Sequence, residues 1–123
     1  MQKIVECKLI VNRVVNDKED KVVIEGKGYY KEDAGEKIVF FSSDDIKYKY
    51  VYKEDVLIVT CNDSKYVFRV NEKDCGEIKN GDYIFKITTL ASKIEFGNNY
   101  VILDYSLYQN ELIGTYYSQL SFN

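Results

Sequence analysis

Aromatic hydroxyls are the chemistry this chain offers most freely. Twelve of its 123 residues are tyrosine. Three of them, Tyr48, Tyr50 and Tyr52, alternate with other residues in Ile46-Lys47-Tyr48-Lys49-Tyr50-Val51-Tyr52-Lys53. A tyrosine joins a large apolar ring to a hydroxyl that donates and accepts, so several around one cavity can wall in an apolar ligand and orient it. Strand geometry would bring them together. Successive side chains of a strand point to opposite faces, which puts Ile46, Tyr48, Tyr50 and Tyr52 on one face. Lys47, Lys49 and Lys53 fall on the other, with Val51 the one exception. The same parity turns Tyr66, Tyr105 and Tyr116 inward on later strands. The candidate ligand-contacting residues are therefore Tyr48, Tyr50, Tyr52, Tyr66, Tyr105 and Tyr116. Lysines interleaved with tyrosines also suggest a single-stranded nucleic-acid surface. Such a surface needs rings and cations on one face, and here they lie on opposite faces.

The remaining chemistry is mostly excluded. The chain has no histidine, which removes the commonest general base, the Ser-His and Cys-His pairs and most catalytic zinc sites. The cysteines have no close-spaced pairs, so no thiolate metal site is expected, and no cofactor motif is present. Glu19-Asp20, Glu32-Asp33, Asp44-Asp45 and Glu54-Asp55 are paired carboxylates, but each falls in a turn signal rather than across a cleft. Asp104 is the one acid within a strongly apolar run, and its parity places it outside. Asn16-Asp17-Lys18-Glu19-Asp20 lacks the glycine and the distal glutamate of a calcium loop. Gly26-Lys27-Gly28 is followed by no helix, so it is no phosphate loop. No catalytic or metal-binding residue is assigned, and the chain is not read as an enzyme.

Net charge is −3 and only two residues are arginine, a poor balance for nucleic acid or an anionic membrane. No apolar run is long enough to span a bilayer as a helix. The segment after Met1 enters a strand pattern without an apolar signal core. Of the three cysteines, Cys7 and Cys61 have core parity and Cys75 lies in a turn-like stretch. All are expected as free thiols in a cytoplasmic protein, where Asn62-Asp63-Ser64 would meet no glycosylation machinery.

The elements needed to position the tyrosines read as strands. Proline is absent, and Tyr, Val, Ile and Phe suit a pleated surface, although an AT-rich genome would enrich several of the same residues. Alternating stretches run over 3–15, 21–31, 37–43, 46–53, 56–62, 65–71, 82–90, 93–96, 100–109 and 112–122. Short Asn/Asp/Gly-rich turns separate them, and 72–81 is the longest break. Tyr83, Phe85 and Ile87 are expected inward, as are Tyr66, Phe68 and Val70, and Leu112 with Tyr116. Gly26 and Gly28 fall on the packed face of their strand, the signature of a sharp bend at a barrel corner. Arg13 shares core parity and would cap a barrel end. About ten strands with short connections pair as antiparallel neighbours. Closure removes their edges, so the expected fold is all-β: a closed antiparallel up-and-down barrel of about eight to ten strands, one domain over residues 1–123.

Four stretches carry a family resemblance: Gly28-Tyr29-Tyr30, Val56-Leu57-Ile58-Val59, Gly81-Asp82-Tyr83-Ile84-Phe85-Lys86-Ile87-Thr88-Thr89 and Val101-Ile102-Leu103-Asp104-Tyr105-Ser106-Leu107. From about Val22 to Phe122 the chain resembles the YwiB-like family of bacterial proteins. The resemblance implies a calycin-like, lipocalin-type barrel and implies no active residues. Thr60-Cys61-Asn62 and Cys75-Gly76 depart from the family pattern, and the tryptophan of true lipocalins has no counterpart. Two functions fit these features: a binder of a small apolar or aromatic ligand inside the barrel, or a structural or protein-interaction module whose barrel is filled by the same rings. The size of the interior void separates them.

Overall fold

Two-residue turns shape this chain more than any other local feature. The computed structural model describes residues 2–123; Met1, part of the expected domain, lies outside them. Asn16-Asp17, Ala34-Gly35, Asp44-Asp45 and Glu54-Asp55 each hold both central residues at positive φ. This is the requirement of a type I′ turn, whose twist matches the strands it joins. Such turns separate β1 (Gln2–Val15), β2 (Lys18–Asp33), β3 (Glu36–Ser43), β4 (Ile46–Lys53) and β5 (Val56–Cys61). The second half holds β6 (Ser64–Phe68), β7 (Lys73–Asn80), β8 (Tyr83–Phe96), β9 (Tyr100–Gln109) and β10 (Glu111–Phe122). Each strand pairs antiparallel with the next, and β10 pairs with β1. The ten strands therefore form a closed up-and-down barrel, as the alternation predicts.

Gly26 and Gly28 make room for a neighbouring strand. They stand opposite the inward-facing Cys7 and Val5. A Cβ at Gly26 would strike the backbone carbonyl of Ser42, and one at Gly28 that of Phe40. Both positions must stay bare for β3 to cross β2 at this distance. Pairing between the two strands begins only at Lys27–Ser42.

Several expectations for the second half need correction. Residues 73–80, read as a break, form β7, paired with β8 from Lys73–Leu90 to Asn80–Tyr83. The two stretches expected at 82–90 and 93–96 are one strand, β8, carrying a bulge between Ala91 and Lys93. Tyr83 and Phe85 keep inward parity yet are exposed, Tyr83 by 72%. The β7–β8 tip overshoots the barrel: β9 pairs with β8 only from Thr88, and β6 pairs with β7 only at Gly76 and Glu77. Leu112 is exposed because a bulge between Leu112 and Gly114 shifts the register of β10. Val70 is exposed because β6 ends at Phe68.

The barrel has two unlike ends. Turns 16–17, 44–45, 62–63, 81–82 and residue 110 surround one, called the mouth. Turns 34–35 and 54–55 and residues 69–72 and 97–99 surround the other, the base. At the base Phe96 and Phe122 pack edge to face at 6.1 Å, Tyr30 stacks on Phe122 at 5.0 Å, and Tyr52 stacks on Phe96 at 5.7 Å. Val5, Val39, Leu57, Val101 and Leu120 are buried in the same core. Outward positions carry charges, including the cross-strand pairs Lys8–Glu25 and Lys27–Glu6. No described residue lies in a helix, so none forms a helix long and apolar enough to cross a membrane.

Candidate functional site

Toward the mouth the packing stops short. A cavity of about 390 Å³ occupies this half of the barrel, lined by inward residues of most strands. Its floor is apolar, with Leu9, Ile24, Phe68 and Leu103; its sides hold Val11, Val59, Cys61 and Leu107. Many of these residues remain half-exposed, because their surfaces face open space within the barrel rather than a packed neighbour. The volume lies within the usual range of small-molecule pockets, roughly 300–1,000 Å³.

Tyr48, Tyr50, Tyr66, Tyr105 and Tyr116 all line this cavity. Parity and pairing explain how. Tyr50 stands opposite Val59 on β5, which in turn stands opposite Tyr66 on β6, while Tyr105 on β9 faces Tyr116 on β10. The Tyr105 and Tyr116 rings stack at 4.9 Å, and Tyr48 stacks on Phe41 at 4.8 Å. Tyr52, the remaining candidate, shares the inward face but lies toward the base on Phe96, away from the cavity lining. Its hydroxyl donates to Asp55 at 3.3 Å.

The hydroxyls distinguish cavity tyrosines from base tyrosines. Tyr30 donates to Glu32 and Tyr52 to Asp55, both carboxylates at the base rim. Among the described residues, the hydroxyls of Tyr48, Tyr50, Tyr66, Tyr105 and Tyr116 have no protein partner. Yet no fully buried side-chain polar atom is left unpaired among those residues. Even Tyr50, only 4% exposed, must therefore present its hydroxyl to the open cavity. A hydroxyl in such a place is free to bond a ligand or water.

Burial raises the pKa of every one of these phenols, most strongly at Tyr50 and Tyr105, and raises that of the Cys61 thiol. At neutral pH the tyrosines and Cys61 are therefore uncharged. Among the described residues Arg13 is the only charged side chain on the lining. It caps the mouth as its parity suggests, with Asp20 accepting from Nε at 2.7 Å and from Nη2 at 2.8 Å. The hydrogen bond and charge of Asp20 raise the Arg13 pKa, and Arg13 in turn holds the Asp20 carboxyl below its ordinary value.

A second hollow of about 490 Å³ shares Arg13 and Tyr116 but runs along the outer wall, past Asn12, Lys21, Asp104 and Tyr117. Asp104 thus faces outward, as its parity requires. The outer hollow lies among exposed polar side chains, so the inner cavity is the better site for an apolar ligand. Sequence reading missed three of the inner lining residues. Ile78 lies in β7, read as a break; Ile113 is turned inward by the β10 bulge; Ser118 is a small polar residue whose hydroxyl donates to the Leu103 carbonyl at 3.3 Å. Among the described residues no group of three or more Cys, Asp or Glu side chains converges on a common point.

No known family's sequence model matches the chain, and no curated protein matches it. The fold is similar to that in the crystal structure of the ywiB protein from Bacillus subtilis, with a TM-score of 0.82 over 99% of this chain and 92% of that one. Sequence identity between the two is 8%, so the likeness shows a YwiB-like fold and nothing finer.

Proposed function

We propose that this protein binds a small apolar or aromatic molecule inside the barrel, entering at the mouth. The observation that carries this reading is the cavity of about 390 Å³ bordered by five tyrosines whose hydroxyls have no protein partner. Apolar floor and unspent hydroxyls together are what an orienting pocket requires. On this reading the barrel is calycin-like in use as well as outline, with Tyr48, Tyr50, Tyr66, Tyr105 and Tyr116 as ligand contacts and Tyr52 as packing. Three unpaired cysteines support a cytoplasmic setting. The competing reading, a filled interaction module, has the packed base in its favour and the open half against it.

The test uses N-phenyl-1-naphthylamine, a neutral dye that fluoresces in apolar surroundings. We expect saturable, stoichiometric uptake by the intact chain. Val59→Trp, which fills the cavity from β5, should weaken uptake by about tenfold or more, a loss of about 1.4 kcal/mol or more in binding. Absent uptake, or uptake indifferent to Val59→Trp in a chain with unchanged circular dichroism, would return the protein to the interaction-module reading.

A further inference from the structure

The cavity changes character with depth, and the change is built from cross-strand register. Below Leu107 and Ile113 at the rim runs a row Tyr105–Tyr116–Arg13 across β9, β10 and β1, with Asp20 of β2 beside Arg13 but off the lining. Below it runs Leu103–Ser118–Val11–Val22, and below that Val101–Leu120–Leu9–Ile24. Below that apolar rim, polarity on this wall falls from a charged row, through a row with one hydroxyl, to a wholly apolar row. A wall graded in this way matches a ligand graded likewise, with a polar head at the mouth and an apolar body below.

The sign of the head follows from Arg13. A guanidinium has five N–H donors in a planar fork. Asp20 takes one from Nε and one from Nη2, but Asp20 itself is not on the cavity lining. Nη1 donates to no described residue. Arg13 pairs across the strands with Tyr116, and Tyr116 with Tyr105, and all three line the cavity. Arg13 can only donate here, while the two hydroxyls can donate or accept. A cationic head would face the guanidinium without an acceptor to offer it, and a wholly apolar head would leave the free guanidinium N–H groups uncompensated. A carboxylate fits the fork in charge and in geometry.

We propose that the ligand is an amphipathic organic anion, its carboxylate-type head held by Arg13 with Tyr105 and Tyr116 and its apolar body lying in the cavity. This rests on the small-molecule reading above and specifies the ligand class. Asp20 then serves as a positioning residue: it fixes the guanidinium from the solvent side while competing with the ligand's charge.

Two dyes with the same pair of aromatic ring systems separate the head from the body. N-phenyl-1-naphthylamine is neutral, and 1-anilinonaphthalene-8-sulfonate adds a sulfonate. With the intact chain, we expect the sulfonate dye to bind more tightly and to compete with the neutral dye. Arg13→Gln should weaken the sulfonate dye about tenfold, the scale of losing a charge-assisted contact. It should weaken the neutral dye far less, so that the preference for the sulfonate over the neutral dye falls several-fold. Asp20→Asn should tighten the sulfonate dye several-fold by removing the competing carboxylate, an effect that loss of structure cannot mimic. Parallel losses of both dyes in Arg13→Gln would overturn the proposal, as would neutral-dye binding with no preference for the sulfonate. Failure of both dyes to bind the intact chain would sink the small-molecule reading and this inference together.

Discussion

Base and mouth of this barrel are built from the same residue type and put it to opposite uses. At the base, Tyr30 and Tyr52 lay their rings on Phe122 and Phe96 and pass their hydroxyls to carboxylates at the rim. Toward the mouth, Tyr50, Tyr66, Tyr105 and Tyr116 border a void, and their hydroxyls have no protein partner among the described residues. A ring stacked among rings adds dispersion and burial, while a ring beside a void holds a shape. The difference teaches that tyrosine content alone says little about filling. The decisive feature is whether each hydroxyl has been given an acceptor.

The largest expected contrast is in stability. Phe122 is fully buried between Tyr30 and Phe96, so Phe122→Ala should cost about 3–5 kcal/mol, the usual range for a buried aromatic. Tyr66 borders the cavity and is half-exposed, so Tyr66→Ala should cost less than half as much, about 1–2 kcal/mol, because the new space merges with existing space. Tyr50→Ala should fall between the two, since its ring is buried while its hydroxyl is not. Lys49→Ala, facing water on the same strand, should stay within about 0.5 kcal/mol. Urea denaturation of the four variants would rank them. Equal costs for Phe122→Ala and Tyr66→Ala would erase the distinction between the two ends.

Alkaline pH tests both ends at once. Burial raises the Cys7 thiol from 9.0 to about 11 and raises Tyr30, Tyr50 and Tyr105 above the ordinary phenol value. These groups ionise more easily unfolded than folded. Above the unfolded pKa the unfolded chain binds fewer protons than the native one, so stability falls as pH rises. The native advantage is whole below about pH 9 and declines above it, steeply once unfolded tyrosines ionise near pH 10. Thermal melts from pH 7 to 11 should show a plateau and then a fall. A ligand bound among the tyrosines at the mouth should flatten the early part of that fall. A melting temperature unchanged to pH 11 would contradict the burial of these groups.

Much of this was legible in alternation. Parity correctly turned Tyr48, Tyr50, Tyr66, Tyr105 and Tyr116 inward, set Asp104 outside and put Gly26 and Gly28 on the packed face. Parity names a face but not a depth. Depth along the axis depends on strand tilt and shear, which no local pattern carries. Hence Tyr52 belongs to the base although it follows Tyr50 on the same face. Tyr83 and Phe85 overshoot the wall for a like reason. Strand β7 was hidden because Lys73–Asn80 contains few β-formers; its neighbours β6 and β8 make it a strand. At Gly76 a Cβ would sit only 3.0 Å from the Lys65 carbonyl and 3.2 Å from Ile87. The glycine that reads as a break thus serves close approach. Bulges at Ala91–Lys93 and Leu112–Gly114 reversed parity locally, which moved Leu112 outward and brought Ile113 to the cavity.

The smallest predicted effect is the sharpest test of how the two ends differ, because it changes single atoms. Tyr30→Phe deletes a hydroxyl that donates to Glu32, and a hydrogen bond to a charged acceptor at a partly exposed rim is worth about 0.5–1.5 kcal/mol. Tyr105→Phe deletes a hydroxyl with no acceptor among the described residues, so the free chain should lose about 0.3 kcal/mol or less, or gain slightly as an apolar wall becomes more apolar. Ligand binding should reverse the order. Tyr105→Phe should weaken the sulfonate dye by a few-fold, and Tyr30→Phe should leave it alone. If instead Tyr105→Phe destabilised the free chain as much as Tyr30→Phe, the Tyr105 hydroxyl would have a structural partner. The mouth would then be a packed end like the base, and the case for a ligand would lose its chief support.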